Sequence, residues 1–259
     1  MVRLLGSYVH IGEGFNPEMG FVRRRGRRLL THEFALTPRM DQETSLGSWV
    51  RDVTLSATSD HVFLAGWITE SKLLRPQLLI EFQDASTFRV QSSQSFERLD
   101  DAFGLPFEVE VPAGDYRFNR HNLRYSSNSS KLLSGSYQYN WGAFYSGHRN
   151  EHLVALQVRP SYRLAIRADY LRNYVELPQA RFHTNEVGLH LDYSFNPRMF
   201  LNAFIQYDNE TARVSSNVRF RLIHRPLSDI YVVYNEVRDK ENDETDWTLS
   251  LKYTHLFNF

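Results

Sequence analysis

Apolar and polar residues alternate along the end of the chain, in the stretch WTLSLKYTHLFNF at 247–259. Leu249 and Leu251 fall on one side of this stretch, and Ser250 and Lys252 fall on the other. A period of two is that of a β-strand, in which successive side chains point to opposite faces. The stretch therefore predicts a strand with one apolar face and one polar face that runs to the last residue.

The same alternation recurs from about residue 130 onward. Each window is about as long as the roughly 9–11 residues that a tilted strand needs to cross a bilayer. The windows are GSYQYNWGAFY at 135–145, YRLAIRADY at 162–170, EVGLHLDYSF at 186–195, LNAFIQYD at 201–208 and NVRFRL at 217–222. The second half of the chain therefore predicts a series of strands that share the same two faces.

The segments between these strands differ in length and charge. Three short ones each contain a proline, which cannot donate a hydrogen bond within a central strand; they are VRPSYR at 158–163, SFNPRM at 194–199 and HRPLSD at 224–229. Three longer ones are polar or charged; they are YVELPQARFHTNE at 174–186, DNETARVSSN at 208–217 and VRDKENDETD at 237–246. Short turns at one rim and long polar loops at the other are typical of bacterial outer-membrane barrels.

The first half of the chain is less regular. Its first residues, MVRLLGSYVH, indicate a short strand, and further predicted strands are THEFALTP at 31–38, RDVTLSA at 51–57, VFLAGWI at 62–68 and QLLIEFQD at 77–84. We expect residues 86–118 to form a long outer loop with some strand at its base. The total is about 14 strands, and an even number is expected if a barrel closes on this chain alone.

Two all-β folds, a soluble sandwich and a membrane barrel, both have strands of alternating polarity. Aromatic residues make up 14% of the chain, although its average hydropathy is negative. A soluble sandwich also alternates, but its apolar faces point inward and its two sheets need Greek-key connections rather than evenly spaced hairpins. In a membrane barrel the apolar face meets lipid, and closure satisfies every backbone group in the hydrocarbon.

We therefore predict an all-β fold, an antiparallel up-and-down transmembrane β-barrel of about 14 strands in the bacterial outer membrane. The barrel domain covers residues 1–259, and these residues either close a barrel alone or form the C-terminal part of a larger one. Because the first residues lack the apolar run of a secretory signal, we expect the N-terminal part of the full-length protein to be missing. The chain has no cysteine, which excludes thiol chemistry.

Charges on the polar faces form the candidate lumen. Six basic and six acidic positions balance, whereas a strongly ion-selective pore shows an excess of one sign at its constriction. Balanced charges favour a network of ion pairs, and the alternative is binding of an anionic solute by four arginines, Arg163, Arg167, Arg219 and Arg221. The main positions are Arg163, Arg167, Asp169, Glu186, Asp192, Arg219, Arg221 and Lys252, with Arg159, Glu33, Asp52 and Glu81 completing the set.

The C-terminal aromatic residues predict a partner. Tyr253, Phe257 and Phe259 lie on the apolar side of the last stretch, and the chain ends on a phenylalanine. This arrangement resembles the signal by which the barrel-assembly machinery recognises its clients, with His255 as an imperfect match. We expect this machinery and outer-membrane lipid to be partners of the chain.

Several stretches resemble the domain of unknown function 5916, the C-terminal barrel of outer-membrane proteins that begin with a family-9-like carbohydrate-binding sandwich. These stretches are GFNPEMGFVRR at 14–24, VPAGDYRF at 111–118, YSFNPRMFLNAFIQYDN at 193–209 and NVRFRLIHRPLSDIYVVYNE at 217–236. The resemblance implies a barrel and its membrane, with no known activity. Carbohydrate is implied as a partner only through an N-terminal domain that these residues do not include.

Candidate chemistry is sparse, and the sequence predicts no catalytic set, no metal site and no cofactor. The pairs His148 with His152 and His183 with His190 lack the spacing of a zinc site with a carboxylate. A surface-exposed outer-membrane hydrolase stays open as an alternative, with Ser136, Asn140 and His152 as the set that it would use. We expect the protein not to be an enzyme.

Charge runs add little to this picture. The basic run RRRGRR at 23–28 indicates a solvated loop or a rim anchor for anionic head groups. Lys and Arg together number 30 and Asp and Glu together number 30, so nucleic acid is not an expected partner. The acidic run at 239–246 lacks the glycine and terminal glutamate of a calcium loop.

The predicted function is that of an outer-membrane β-barrel without an assigned activity. It acts as a pore, a transport component or a scaffold for the missing front domain. The alternatives are a surface-exposed hydrolase and a soluble carbohydrate-binding β-domain. Detergent dependence separates the soluble alternative from the others, because a soluble protein cannot expose such an apolar band.

Overall fold

The computed structural model describes residues 1–16, 18, 25–38, 40–41 and 43–256. Sixteen β-strands make up nearly all of its regular structure, with one 3-10 turn at Ala65–Trp67. The strands are β1 (Val2–Ile11), β2 (Arg27–Leu36), β3 (Val50–Phe63), β4 (Thr69–Phe82), β5 (Thr87–Leu99), β6 (Phe103–Leu105), β7 (Val109–Val111), β8 (Gly114–Ser126), β9 (Leu133–Phe144), β10 (Gly147–Ser161), β11 (Leu164–Glu176), β12 (Arg181–Asn196), β13 (Met199–Asp208), β14 (Arg213–Arg225), β15 (Ser228–Asp239) and β16 (Glu244–Tyr253).

Fourteen of these strands form one sheet in chain order, and β6 and β7 form a separate two-stranded ribbon. The pairing is antiparallel, as in the ladders of β1 with β2 and of β15 with β16. Each strand of the large sheet has 10 to 16 residues, enough for a tilted strand to cross a bilayer. The all-β, up-and-down antiparallel arrangement and the number of strands are confirmed.

The order of the sheet starts with β1 and ends with β16. No ladder joins these two strands in the residues that the structure describes, so the sheet is not closed there. Pairing of the last strand with the first, which closure by this chain alone requires, is therefore not present in the described residues. Both end strands are exposed along almost their whole length, as expected for strands with a neighbour on one side only.

Within the described ranges, no helix has the length and apolar character that crossing a membrane requires.

The chain divides into two compact units. The first unit comprises Met1–Tyr125, Gln138–Asn150 and Val175–Phe182. The second unit comprises Ser126–Tyr137, Glu151–Tyr174 and His183–Phe259.

The ladders of the second unit place the alternating residues on two faces. The apolar face of β12 to β16 contains rows such as Tyr193, Leu201, Phe220, Val232 and Leu251, which are neighbours from strand to strand. The polar face holds the residues of opposite parity. Each window predicted from the sequence in β12, β13, β14 and β16 therefore has its two faces as expected.

The first unit has the same two faces on β1 to β5. One apolar row contains Val2, Leu36, Leu55, Leu78 and Val90, each opposite the next. The polar face contains Glu33, Thr58 and Arg75, which are opposite one another in turn, and Arg3, which is one row away from Glu33 on β1. The alternation therefore extends into the less regular half of the chain.

Almost no apolar side chain is buried in a core. The buried apolar residues among those described are Ala35, Val50, Val109, Val111, Val175 and Leu177. Side chains of the apolar face stay exposed, for example Leu189 at 44% and Leu251 at 74%. In the described part of the chain there is thus no dry interior between two stacked sheets, which is the arrangement that a soluble sandwich requires.

The small core of the first unit lies under the β6–β7 ribbon. Val109 packs in a cluster with Val175 and Leu177 from the β11–β12 hairpin. The Phe107 ring lies 5.3 Å from the Phe182 ring between centroids, and Gln179 Nε2 donates a hydrogen bond of 2.9 Å to the Glu110 carbonyl oxygen. The ribbon is therefore held against this hairpin by apolar and polar contacts together.

The connections between β10 and β16 alternate, but the long ones are shorter than predicted. Residues 162–163, 197–198 and 226–227 form two-residue turns, and 177–180, 209–212 and 240–243 form four-residue turns. The strands continue through the polar residues that the sequence suggested as loops, because pairing between backbones does not require apolar side chains. We call the side of the turns 177–180, 209–212 and 240–243 the long-turn rim and the opposite side the short-turn rim.

Three further expectations are corrected. Residues 86–118 do not form a long loop, because most of them belong to β5, the ribbon and β8. The segment 62–68 is not a strand throughout, since β3 ends at Phe63 and the 3-10 turn follows. The last strand ends at Tyr253 rather than at the last residue, although Thr254 still exchanges backbone hydrogen bonds with Asp229.

Candidate functional site: the polar face of the sheet

The polar face of the second unit is built from parallel rows of side chains that run across β12 to β16. The row nearest the long-turn rim is acidic, and we call it the acidic row. Its members are opposite one another in sequence, and they are Glu186, Asp208, Arg213, Asp239 and Glu244. Four carboxylates thus share one cation in this row.

Like charges directly opposite each other on a sheet destabilise it. Glu186 faces Asp208, and Asp239 faces Glu244. Arg213 Nε lies 3.4 Å from Asp239 Oδ2 and compensates part of this charge. In the adjoining turn, burial and the charge of Asp208 raise the pKa of Glu210. The acidic row is therefore a region of negative potential at this rim.

The middle rows of this face contain amides, histidine and carboxylates. Asn217 donates to Asn235 across the β14–β15 ladder, and Asn202 Nδ2 donates to Asp192 Oδ1 across the β12–β13 ladder. The His190 ring stacks on a neighbouring phenylalanine ring, Phe204, with centroids 4.4 Å apart. These amides and carboxylates satisfy part of one another's hydrogen-bonding capacity, and their polar atoms lie on the same side of the sheet.

The rows nearest the short-turn rim are basic. Arg219 lies between Asn202 and Val233, and Arg221 lies between Phe200 and Tyr231. The last member of the outer row is Lys252, which is opposite Tyr231. Potential along the polar face therefore changes from positive at the short-turn rim to negative at the long-turn rim.

Arg221 is the best-held cation of these rows. Its guanidinium approaches Asp229 Oδ2 at 2.9 Å and lies 5.5 Å from the centroid of the Tyr231 ring. The Tyr231 hydroxyl lies 3.4 Å from the same carboxylate oxygen. Because Asp229 is only 17% exposed at its side chain, this pair orders the end of the β14–β15 hairpin.

The four arginines of the anion-binding hypothesis are distributed over three elements. Arg163 lies in the β10–β11 turn, where its Nε donates to the Tyr162 hydroxyl at 3.0 Å. Arg167 Nε lies 2.6 Å from Asp169 Oδ1 on the same strand. β12 and β13 separate β11 from β14, so Arg167 and Arg219 are about 14 Å apart across the sheet at the usual strand spacing. The structure does not bring the four into one cluster.

The predicted acidic positions each have a defined neighbour. Asp169 contacts His190 Nε2 at 3.4 Å and lies directly over Gly188, where an added Cβ would collide with its carboxylate. Asp192 accepts from Asn202, as described above, and Glu186 belongs to the acidic row. The predicted residues on β11 to β16 therefore lie on the polar face, except for Arg163 in its turn.

The polar face of the first unit contains ion pairs that the sequence did not reveal. Arg75 pairs with Asp60 at 3.3 Å, and the Arg27 guanidinium makes two contacts with Glu70, at 2.7 and 3.1 Å. The predicted acids Glu33, Glu81 and Asp52 have arginine partners here, since Arg3 pairs with Glu33 and Arg51 pairs with both Glu81 and Asp52. Extending the period of two through β1 to β4 would have found these arginines.

One groove of about 420 Å³ opens in the first unit between the β9–β10 and β11–β12 hairpin ends. Its lining includes His148, Gln179, and the Glu176 and Arg181 pair. Above it, burial raises the pKa of the nearby Tyr145 hydroxyl, as does the charge of Glu97. Ser146 and His148 both line the groove, but no hydrogen bond joins them in the described part of the chain, and the lining has no aromatic platform, so the groove indicates no particular ligand.

The structure separates the residues of the hydrolase hypothesis. His152 Nδ1 lies 2.8 Å from the Tyr137 hydroxyl, on the face of β9 that contains Tyr137. Ser136 and Asn140 have the opposite parity on β9 and lie on its other face. A serine, its base and its orienting group must be within hydrogen-bond reach, and this set does not meet that requirement. No group of three or more metal-ligating side chains is found among the described residues.

The C-terminal signal is described in part. Tyr253 lies on the apolar face opposite Ile230, and its side chain is 61% exposed. Past the strand, the Leu256 amide donates to Ser228 Oγ at 3.0 Å. Phe257 and Phe259 lie outside the described residues, so their part of the predicted signal stays a prediction.

No family model and no curated protein matches the chain. The resemblance to the domain of unknown function 5916 therefore stays a prediction. Among solved structures, the chain is similar to a quintuple mutant of the Rh. blastica porin at 9% identity and a TM-score of 0.35, covering 98% of this chain and 99% of that one. A double mutant of the same porin gives 9% identity and a TM-score of 0.36, covering 97% and 98%. This likeness is too distant to assign the chain to the porins.

Proposed function

We propose that this chain is a bacterial outer-membrane β-barrel that forms a water-filled passage for small solutes. The apolar face meets lipid, and the polar face lines the lumen. The chain reaches its membrane through the barrel-assembly machinery, which recognises the C-terminal strand. Lipid is then its principal partner. Carbohydrate binding and hydrolysis find no supporting observation in the described residues.

One observation carries this proposal: a long antiparallel sheet with an exposed apolar face and a charged opposite face. Leu249 and Leu251 on this face are 61% and 74% exposed. Soluble monomers rarely expose apolar patches larger than a few hundred Å², because such patches drive association. Acyl chains supply the cover that the protein itself does not provide.

Aromatic residues support the same orientation. Tyr207 and Trp247 lie toward the long-turn rim on the apolar face, and Tyr253 lies toward the short-turn rim. Tyr234 and Tyr193 lie in the rows between them. Rings of this kind prefer the interface between hydrocarbon and water, where the ring is in lipid and the polar atom reaches water. Tyr207, Trp247 and Tyr253 are therefore near the two ends of the apolar face, where the two surfaces of a bilayer would meet it.

Closure is part of the proposal. A free strand edge in hydrocarbon leaves unpaired backbone groups, each at a cost of several kcal/mol. An even number of strands makes the first and last strands antiparallel to each other, so β1 and β16 have the directions that an antiparallel ladder needs. We therefore propose that these two strands pair when the chain is in its membrane.

The acidic row gives the passage a preference for cations. Four carboxylates and one arginine at the long-turn rim attract cations and repel anions at the mouth. The sequence predicted balanced charge, and balance does hold for many pairs along the polar face. The excess of one sign appears only when the ladders place Glu186, Asp208, Asp239 and Glu244 in one row.

The first experiment compares the refolded chain with and without detergent and then adds it to planar bilayers. The proposal predicts aggregation without detergent, and stepwise increases in current after insertion. A chain that stays monodisperse in water would contradict the membrane assignment. Insertion without any conductance would contradict the passage and leave the scaffold role as the better explanation.

The second experiment measures reversal potentials in a KCl gradient. Changing Glu186→Gln, Asp208→Asn and Glu244→Gln together should lower the ratio of potassium to chloride permeability roughly two- to threefold, because the charge at the mouth falls. Glu236→Gln is the control, since Glu236 lies on the apolar face opposite Trp247. An unchanged ratio in the triple variant would contradict the cation preference.

A further inference from the structure

The apolar face of the first unit ends in a group of cations near the long-turn rim. Lys72 on β4 is directly opposite Phe96 on β5. The guanidiniums of Arg98 and Arg117 lie 5.8 and 5.6 Å from the centroid of the same Phe96 ring. We call Lys72, Arg98 and Arg117 the cationic patch.

The position of the patch follows from the ladders. Along β4 and β5, Lys72 and Phe96 are followed on the same face by Leu74 with Gln94 and by Pro76. Leu78 with Val90 and then Ile80 with Phe88 come next. Lys72 and Ile80 are eight residues apart, about 26 Å along an extended strand. The cations therefore border the apolar band at its long-turn end, at the level where hydrocarbon gives way to headgroups.

The charge of the patch is only partly compensated. Arg98 forms a bidentate pair with Asp115, at 2.8 and 2.9 Å. Lys72 and Arg117 are exposed, and neither forms an ion pair within the described part of the chain. Three cations and two nearby carboxylates, Asp115 and Asp100, thus share this part of the sheet, so its net charge is positive.

A further cation, outside the patch, lies on the same face of the first unit. The Arg28 guanidinium lies 4.8 Å from the centroid of the Trp67 ring. Arg28 is opposite Phe63 in the β2–β3 ladder, and the Phe63 and Trp67 rings are in contact at 5.3 Å. Cations seated beside aromatic rings at the edge of an apolar band are thus a repeated feature of this surface.

We propose that the cationic patch binds the phosphate of an anionic lipid headgroup in the leaflet at the long-turn rim. The inference rests on the proposed membrane function. A lipid whose acyl chains lie along Leu78, Ile80 and Val90 places its headgroup phosphate beside Lys72 and Arg117. Guanidinium and ammonium groups both bind phosphate oxygens by charge-assisted hydrogen bonds, and the adjoining Phe96 ring covers the upper acyl chain.

The test measures lipid preference in vesicles. The full chain is inserted into vesicles of brominated phosphatidylcholine, and unbrominated phosphatidylglycerol is added in increasing proportion. Recovery of tryptophan fluorescence then gives the association of the anionic lipid relative to the zwitterionic one. The wild-type chain should prefer phosphatidylglycerol, and K72Q with R117Q should lower this preference roughly fivefold. Arg98 is kept, because its pair with Asp115 supports the local fold.

The control changes two cations of the second unit, R198Q with R225Q, in the β12–β13 turn and at the end of β14. This control should keep the wild-type preference. Equal preference in the patch variant and the wild type, with normal insertion, would overturn this inference and leave the proposed function standing. A chain that inserts into neither kind of vesicle would overturn the proposed function and this inference with it.

Discussion

Single residues decide how closely neighbouring hairpins approach. A Cβ added to Gly147 at the start of β10 would overlap the carbonyl oxygen of Glu176 and come within 3.0 Å of the Leu177 Cα atom. Both contacts are with backbone atoms, which cannot rotate away as a side chain can. Glycine is therefore required at this position for steric reasons.

The substitution Gly147→Ala should lower the free energy of unfolding by about 1–3 kcal/mol, the usual cost of overpacking. Unfolding by urea in lipid vesicles, followed by tryptophan fluorescence, measures this change. Gly6→Ala on β1 is the matched control, because no atom lies within 4 Å of its added Cβ. Equal midpoints for the two variants would contradict the steric explanation.

The β6–β7 ribbon is the element whose role is least evident from sequence. Phe182 has the same parity on β12 as Glu186, so the ribbon packs on the polar side of its hairpin. In the proposed barrel, this side is the mouth of the lumen. The ribbon is thus in a position to narrow the passage.

Val111→Asp should detach the ribbon, because Val111 is 1% exposed and an unpaired carboxylate cannot stay buried there. We expect faster proteolysis within 100–113 and a higher conductance, with an unchanged far-ultraviolet spectrum for the sheet. Glu110→Gln is the control, since its side chain is exposed and its carbonyl oxygen still accepts from Gln179. Faster cleavage without any rise in conductance would contradict the proposed position of the ribbon at the mouth of the lumen.

The strands of the second half were predictable because one face of each stays apolar over a membrane-length window. Polar segments such as 237–246 suggested loops, yet the strands continue through most of them. In the proposed barrel, polarity marks where the sheet leaves hydrocarbon, whereas the backbone ladder ends only at a turn. The first half was less clear, because His32, Ser59 and Lys72 interrupt its apolar face near the long-turn rim.

The sequence predicted on which face of the sheet the residues of the candidate site lie, but not which of them are neighbours. Arg167, Asp169, Asp192, Arg219 and Arg221 lie on the polar face, since alternation alone assigns a residue to a face. Their neighbours depend on the register between strands, which a single sequence does not specify. The acidic row and the arginine partners of the first unit emerge only from the ladders.

At the scale of the whole molecule, closure is the prediction that matters most. The chain has no cysteine, so any disulfide that forms must join cysteines introduced by substitution. Ser7 lies on the polar face of β1, and Ser250 and Lys252 lie on the polar face of β16. If β1 and β16 pair, Ser7→Cys should form an intramolecular disulfide with one member of a series of cysteines at Thr248, Ser250 and Lys252.

Cysteines at Leu249 or Leu251, on the apolar face, should not react with the same Ser7→Cys variant. Mobility on gels without reductant, after insertion into vesicles, distinguishes monomers that are linked internally from dimers linked between chains. Disulfides between chains alone would show that the two strand edges meet the edges of other copies. No linkage with any member of the series would contradict closure by this chain.

The scarcity of buried apolar side chains has a consequence for how the chain acquires its structure. A protein with a buried apolar core can fold in water before it reaches its destination, because its apolar surface is already covered. In the proposed barrel, charged side chains line the inside, where a soluble protein has an apolar core. No large apolar core in the described residues therefore drives the strands together before a bilayer is present. Folding and insertion should therefore be a single event, with a rate that falls as the acyl chains of the host vesicle become longer. Before insertion, we expect the unfolded chain to need a chaperone to stay soluble.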